Sequence, residues 1–401
     1  MFQTKIFSKV TASHLKEHNE TLILREIYAH KTISRVKLAQ LTHLSKPSVT
    51  ELTQSLIKKG LITEAGLETV SDKVGKRPTL LAFNPDASQI IAIVLSDTAV
   101  IGTLLNLRVR IIEQQSLPMN GATSTELLEL ISELVQSIAV KATRPLLGIT
   151  VGTPGIVDSQ AGVVHLAPNL AWNNVPLAKL LAERFQIPVY IGNDSNLAAV
   201  GEHRFGIARD VDDLIVVKIG TGIGAGILAG GRVVHGSTDG AGEVGHVPFP
   251  PLNDECICGQ RGCLETMVSW WGLCRYAQRA ADEHHDSALH SLANGGEVTA
   301  PIVLKALEMG DPATIALVKE AASYLARALI MMSHLLNPQK IILTGSMVQL
   351  GDVFLKQVQH TVHEHSMPYF LSQTEIIANE LDDRTILLGA GALLLEKELG
   401  L

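Results

Sequence analysis

Residues 243–265 read E-V-G-H-V-P-F-P-P-L-N-D-E-C-I-C-G-Q-R-G-C-L-E, and this stretch holds three of the four cysteines in the 401-residue chain. Cys256, Cys258 and Cys263, with His246 upstream, offer one imidazole and three thiolates, which is typical of a closed tetrahedral zinc site. Two glycines let the loop turn back on itself, and three prolines stiffen the arm from His246. A disulfide pair or small core residues are the alternatives, and the absence of a signal sequence disfavours the disulfide. The spacing therefore predicts a structural zinc ion (Zn²⁺).

Two carboxylates bracket this loop. Glu243 lies three residues before His246, and Glu265 lies two residues after Cys263. A metal that fixes the backbone here would also hold these hydrogen-bonding side chains still, as recognition of a polyhydroxylated ligand requires. The loop is therefore predicted to support a sugar site.

The string G-E-V-G-H, followed by C-x-C-G-x-x-G-C-L-E, resembles the signature of the ROK family of sugar kinases and sugar-responsive repressors. The resemblance implies an N-terminal winged helix-turn-helix (α+β), followed by a two-lobed α/β actin-like ATPase (ribonuclease H-like) fold. We expect the winged helix-turn-helix in residues 1–80 and a first lobe in 81–195 plus 385–401. A second lobe, with the zinc loop and dimerisation helices, is expected in 196–384.

Composition and charge agree with a multidomain globular protein. Hydrophobic residues make up 46% and charged residues 18% of the chain, and no charge-free apolar segment reaches membrane-spanning length. We expect the protein to stay in the cytoplasm and to have no membrane partner. Residues 1–80 carry a net charge of +6, whereas the remainder carries −13. A basic head on an acidic body indicates that the head binds a polyanion.

The head shows three short helical patterns, and the third one begins near Ser45. With Val49, Leu52 and Leu56 turned inward, the opposite face is short and polar with a basic N-terminus, which suits phosphates and base edges in a major groove. The residues predicted to contact DNA from this helix are Lys46, Ser48, Thr50, Glu51, Thr53 and Gln54.

Two predicted strands after Gly60 are joined by a polar loop that contains Lys76 and Arg77. The loop resembles the wing of a winged helix, whose cations could enter a minor groove. A solvated helical bundle for protein contact is the alternative. Because the helices, the wing and the charge split agree, we predict that the head binds operator DNA.

The body contains two series of apolar, β-branched runs, which predict two related α/β lobes with a cleft between them. Asn169 lies in a loop that matches the N-L-x-W sequence of the family, and Asn193 and Asp194 directly follow a predicted strand. Any one of these is more often a turn former or cap, but amides, carboxylates and an imidazole together suit vicinal hydroxyls. The predicted sugar-binding set is Asn169, Asn193, Asp194, Glu243, His246 and Glu265. The resemblance implies that Asp194 stands at the general-base position of the kinases, here vestigial.

The nucleotide side departs from the kinases of the family. Their first hairpin begins with D-x-G-G-T, but this chain has Val94, Ser96 and Asp97 at the corresponding positions. Valine cannot help to hold magnesium, and Asp97 would place negative charge against phosphates. The second glycine loop, residues 220–226, is intact, and we attribute its glycines to conformations that the hairpin needs. We predict that the protein is not an enzyme.

The sequence thus predicts a homodimeric regulator of carbohydrate-utilisation genes, most consistent with a repressor, with a tetramer as the alternative assembly. A glucose- or xylose-like monosaccharide bound between the lobes would alter operator affinity. One alternative is a sugar kinase with an appended DNA-binding domain. The other is a repressor that is controlled through capture by a sugar-transport protein.

Overall fold

The computed structural model describes residues 12–67, 78–371, 373–379 and 382–401. The N-terminal unit packs three helices against a three-stranded antiparallel sheet of strand order β1-β3-β2. The third helix begins where it was predicted, directly after Ser45, and Ser45 caps it because its hydroxyl accepts a hydrogen bond from the Ser48 amide. The elements of this unit are α1 (Ala12–Ala29), β1 (Ile33–Ser34), α2 (Arg35–Thr42), α3 (Lys46–Lys58), β2 (Ile62–Leu67) and β3 (Thr79–Phe83).

The first sheet of the body has the order β11-β7-β4-β5-β6, and β4 at its centre is buried along its whole length. A small sheet of order β10-β9-β8 extends from it. The elements here are β4 (Gln89–Leu95), β5 (Ala99–Asn106), β6 (Ile111–Pro118), α4 (Ser124–Ala139), β7 (Leu146–Thr153), β8 (Ile156–Asp158), β9 (Val163–Ala167), β10 (Trp172–Val175), α5 (Leu177–Phe185), β11 (Val189–Asn193) and α6 (Asp194–Phe205).

The second sheet has the order β14-β13-β12-β15-β16. Its elements are β12 (Leu214–Ile219), β13 (Ile223–Ala229), β14 (Arg232–Val233), α7 (Trp270–Glu283), α8 (Ala288–Ala293), α9 (Ala300–Glu308), α10 (Pro312–Leu336), β15 (Lys340–Thr344), α11 (Gly351–His365), α12 (Pro368–Leu371), β16 (Glu375–Ala378) and the closing helix α13 (Asp382–Leu399).

Both five-stranded sheets have one topology. In each sheet an antiparallel three-stranded meander is extended by two parallel strands beside its first strand. The prediction of two related α/β lobes is therefore confirmed. The predicted domain limits at residues 80 and 195 fall inside β3 and α6, respectively.

Two helices, α6 and α13, pack against each other and against the sheets. Their crossing is close because both contribute a glycine. A Cβ at Gly389 would lie 1.9 Å from the Leu197 carbonyl oxygen, and a Cβ at Gly201 would lie 2.0 Å from the Thr385 carbonyl oxygen. Helix α6 also contacts β12 and β13 of the second sheet. The first residue of α6 is therefore held at the junction of the two lobes.

None of the helices in the described ranges is long and apolar enough to cross a bilayer.

Gly389→Ala tests the helix crossing. The added methyl group would collide with the backbone of α6, so we expect a loss of about 1–3 kcal/mol of stability, measured by denaturant-induced unfolding. Gly240→Ala is the control, since its Cβ would meet no atom closer than 3.9 Å. Equal midpoints for Gly389→Ala and the wild type would contradict the crossing.

Candidate functional site

A cavity of about 390 Å³ opens between the two lobes. Residues from both sides of the cleft line it, including the ends of β4 and β11 and the start of β13. The structure brings the whole predicted sugar-binding set to this cavity, namely Asn169, Asn193, Asp194, Glu243, His246 and Glu265.

The pair Asn193 and Asp194 joins β11 to α6. The Asn193 side chain caps the helix, since its Oδ1 accepts from the Asn196 amide at 3.0 Å and its Nδ2 donates to the Gly155 carbonyl at 3.0 Å. Asp194 is 5% exposed, and its Oδ1 accepts from the Ser195 amide at 2.7 Å. Asn193 thus positions the strand-to-helix turn, and Asp194 presents a carboxylate to the cavity.

Lys218, which the sequence reading missed, provides a cation for this carboxylate. Its Nζ lies 3.1 Å from Asp194 Oδ2, and both side chains are largely buried. The signal in the sequence was a single lysine within the apolar strand L-I-V-V-K-I. Its partner lies 24 residues away, at the start of a different element, so only the packed structure identifies the pair.

The predicted metal ligands converge as well. One ligand atom from each of His246, Cys256, Cys258 and Cys263 lies within 4.8 Å of the other three. The Cys258 and Cys263 sulfurs are 3.7 Å apart, and His246 Nδ1 is 3.5 Å from Cys256 Sγ. A tetrahedral site with Zn–S bonds of ~2.3 Å needs sulfurs about 3.8 Å apart. The cysteines are free thiols, so both the ligand chemistry and the dimensions fit a zinc ion.

The thiolate forms of these cysteines are disfavoured unless a positive charge compensates them. Burial raises the pKa of Cys263 to about 11, and it raises the pKa of Cys256 far above its ordinary value. The Cys256 thiol donates to Glu265 Oε1 at 2.9 Å, so a thiolate there would be repelled by the carboxylate. A bound metal ion would supply the compensating positive charge.

His246 links the metal ligands to the cavity. Its Nδ1 faces the cysteines, whereas its Nε2 lies 3.9 Å from Glu243 Oε2. Burial raises the pKa of Glu243, and the charges of Asp194 and Glu265 raise it further, while His246 lowers it. A cavity so rich in acceptors suits a neutral ligand that carries many hydroxyl donors.

Asn169 reaches the same place from the loop between β9 and β10. A Cβ at Gly222 would lie 3.9 Å from Asn169 Nδ2 and 3.3 Å from Glu265 Oε2. These two polar groups therefore approach one point from the first and second lobes. A ligand between them would touch both lobes.

The three residues that depart from the kinase phosphate loop lie in different surroundings. Val94 is fully buried in the core, whereas Ser96 and Asp97 line the cavity. The glycine loop corrects one expectation, because none of its glycines has a positive φ. They are needed for space instead: a Cβ at Gly226 would lie 2.0 Å from the Ser195 carbonyl oxygen at the start of α6.

The polar face of α3 is exposed as predicted at Lys46, Thr50, Glu51 and Gln54, and Ser48 is half-buried. The prediction that Thr53 lies on this exposed, DNA-facing side of α3 is wrong. Thr53 is fully buried because it follows Val49 by one helical turn, on the face of α3 that packs against the other elements of the head. Its hydroxyl accepts a hydrogen bond from Arg35 Nε at 3.0 Å.

Glu51 is engaged within the head, where its carboxylate pairs with Lys16 at 2.9 Å. The predicted wing residues Lys76 and Arg77 lie outside the described residues.

Comparisons with known proteins agree with this architecture. Residues 90–397 match the model of the ROK family, and residues 16–64 match the model of the MarR family. A xylose repressor from Caldicellulosiruptor bescii is 33% identical over 385 residues, which cover 95% of this chain and 96% of that protein.

Two solved structures are similar. A ROK family transcriptional regulator, described as a homologue of the E. coli MLC protein, gives a TM-score of 0.82 at 25% identity and covers 96% of this chain and 97% of its own. A ROK family glucokinase from Streptomyces griseus, in complex with glucose and AMPPNP, gives 0.68 at 26% identity and covers 76% of this chain and 99% of its own.

A winged DNA-binding head on a two-lobed actin-like ATPase fold defines a transcriptional regulator that shares its body with sugar kinases. The chain belongs to the ROK family.

Proposed function

We propose that this protein is a repressor of carbohydrate-utilisation genes, and that a monosaccharide bound between the lobes changes its affinity for operator DNA. The observation that carries the proposal is the interlobe cavity, which gathers six polar residues in a chain that also has a winged head. Its volume of about 390 Å³ lies within the usual range for small-molecule sites, about 300–1,000 Å³.

The cavity residues have complementary roles toward a glucose- or xylose-like sugar. Asp194, Glu243 and Glu265 accept hydrogen bonds from hydroxyl groups, and the amide of Asn169 both donates and accepts. His246 offers Nε2 on the cavity side. A zinc ion held by Nδ1 of His246 and the three cysteines would fix this imidazole and the backbone that carries Glu243.

Helix α6 offers a route from the sugar to the head. It starts with Asp194 in the cavity and extends over 12 residues, or ~18 Å. Near its other end, Arg204 donates to the Leu401 carbonyl oxygen at 3.0 Å, and the neighbouring Gly400 carbonyl oxygen accepts from Arg25 of α1. A coupling of ~1–3 kcal/mol along this route would change DNA affinity about 5- to 150-fold.

A homodimer would place two heads on a pseudo-palindromic operator. Exposed apolar side chains support an interface: Leu335, near the end of α10, is 76% exposed, and Met367, just before α12, is 58% exposed. The segments that carry them are in contact, because His334 accepts from the Met367 amide. This cluster gives the dimer a candidate contact, and a tetramer would need a second one.

We also propose that the protein does not phosphorylate its sugar. Val94 is buried and carries no metal-binding group, and the Asp97 carboxylate lies where a phosphate would need positive or neutral surroundings. The experiment has to distinguish this proposal from two alternatives. One is a sugar kinase with an added head, and the other is control through capture by a sugar-transport protein.

Titration of sugars against the protein on DNA tests the proposal. With a DNA site selected by the protein from random sequence, we expect D-xylose or D-glucose to shift the DNA dissociation constant about 5- to 150-fold. Asp194→Asn should raise the sugar concentration that gives half the effect by about 10-fold or more, because it removes a charged acceptor. Asp352→Asn, which alters an exposed ion pair with Lys356, is the matched control.

The same protein samples separate the alternatives. Release of ADP with glucose or xylose, above the level of Asp194→Asn, would favour the kinase. If no monosaccharide in a broad panel shifts DNA affinity, the proposal is wrong and capture by a protein becomes the better explanation.

Elemental analysis tests the metal. We expect about one zinc ion per chain in the full-length protein, and Cys263→Ser should lose the zinc together with the sugar response. Cys274→Ser is the control, because that thiol lies outside the cluster. A metal-free wild type that responds normally to sugar would contradict a structural role for zinc.

A further inference from the structure

The turn between β4 and β5 makes an unusual contact across the cleft. Asp97 belongs to the first lobe, but three hydrogen bonds to its carboxylate come from the second lobe. Thr221 donates from its amide at 3.1 Å and from its hydroxyl at 2.7 Å, and the Ser346 hydroxyl donates at 3.2 Å. The partners lie 124 and 249 residues away along the chain. Asp97 therefore ties together segments that otherwise belong to separate sheets.

The second lobe is shaped to receive this carboxylate. A backbone amide and two hydroxyls that converge after a glycine-rich strand end form a typical oxyanion-binding concavity. Trp270 Nε1 donates to the Ser346 hydroxyl at 3.1 Å and so orients it. A Cβ at Gly220 would lie 2.5 Å from Asp97 Oδ2, so only glycine leaves room for the carboxylate. A carboxylate that belongs to the chain itself therefore occupies a concavity of the kind that binds oxyanions.

A second interlobe contact lies beside the first. Lys218, on β12 of the second sheet, pairs with Asp194 at 3.1 Å. Asp383, at the start of α13, belongs to the same group. Burial raises the pKa of Asp383, while Lys218 and a hydrogen bond from Ser96 lower it. The ammonium group of the second lobe thus faces carboxylates carried by α6 and α13.

We propose that Asp97 with Thr221 and Ser346, and Lys218 with Asp194, form an interlobe latch that holds the cleft in its ligand-ready shape without a bound nucleotide. Asp97 and Lys218 are then positioning residues, because they set the separation of the lobes. Charge-assisted hydrogen bonds between half-buried groups are strong enough for this role. When the cleft is already closed, less of the free energy of ligand binding is needed to order the lobes, and the ligand binds more tightly.

The latch itself can be tested on the full-length protein without any sugar. Hydrogen-deuterium exchange should show that Asp97→Ala speeds exchange about 10-fold in residues 219–224 of the second lobe. Thr221→Val should speed exchange similarly in residues 95–99 of the first lobe. These changes correspond to the loss of roughly 1.5 kcal/mol of hydrogen bonding. The double variant should exchange no faster than Asp97→Ala alone, because Thr221→Val removes a hydrogen bond that Asp97→Ala already removes.

Conservative and unrelated variants serve as controls. Thr221→Ser keeps the hydroxyl and should exchange like the wild type, and Asp352→Asn should have no effect in either segment. Lys218→Met should speed exchange in both segments, since it removes the second contact. If each variant affects only its own lobe, or if the effects of Asp97→Ala and Thr221→Val add, there is no latch.

The claim that the latch prepares the cleft for a sugar rests on the proposed function. Calorimetric measurement of sugar affinity tests this claim separately. D-xylose and D-glucose serve as probes. For whichever sugar the wild type binds, Asp97→Ala should lower the affinity by about 10-fold. Thr221→Ser should bind this sugar with wild-type affinity, whereas Thr221→Val should bind it more weakly. Unchanged affinity in Asp97→Ala would overturn this claim. If the wild type binds neither sugar while the exchange response persists, the proposed effector class fails and the latch stands.

Discussion

The close packing of α6 between the two sheets is the constraint on which the rest of the structure depends. On one side, Gly226 of β13 leaves room for the backbone at Ser195, and on the other, Gly389 of α13 leaves room for the backbone at Leu197. Any larger side chain at either glycine would clash with the backbone of α6, because protein interiors contain little free space. Asp194, at the first turn, is therefore positioned by packing at the junction of the two lobes.

Around that fixed point, the cleft concentrates negative charge. Asp194, Glu243 and Glu265 approach one another, and burial disfavours the ionised form of Glu243. Such a cluster is stable only if cations or hydroxyl donors lie nearby. Lys218 supplies one cation from the second sheet. The proposed metal ion would supply another behind His246, which leaves the cavity side of these groups to a ligand rich in hydroxyl groups.

A regulator needs two states whose free energies differ by only a few kcal/mol, because a ligand shifts an equilibrium only by its differential affinity. A two-lobed body has a natural coordinate for this, namely the separation of its lobes. The contacts of Asp97 and Lys218 across the cleft are made by polar groups that range from half-buried to largely buried, and we propose that they bias that coordinate without locking it. The winged head contacts the same segment, residues 400–401, that the end of α6 contacts, so a displacement of α6 would be transmitted to the head through this segment.

The sequence by itself determined the local features of this protein. The spacing of His246, Cys256, Cys258 and Cys263 grouped four potential metal ligands, and the pattern near Ser45 marked the start of α3, because both depend on residues that are near one another along the chain. The repeated apolar runs gave the two lobes, since strand burial is visible in composition.

Only the tertiary structure decided which distant groups meet. It turned Thr53 inward beneath Arg35, paired Lys218 with Asp194, placed Asp97 against Thr221, and assigned the glycines of residues 220–226 to close packing rather than to special backbone angles. The physical reason is that periodicity and capping encode the conformation of short segments. A side chain's partner in another helix or strand is set by how whole elements pack, and a single sequence carries no local signal for it.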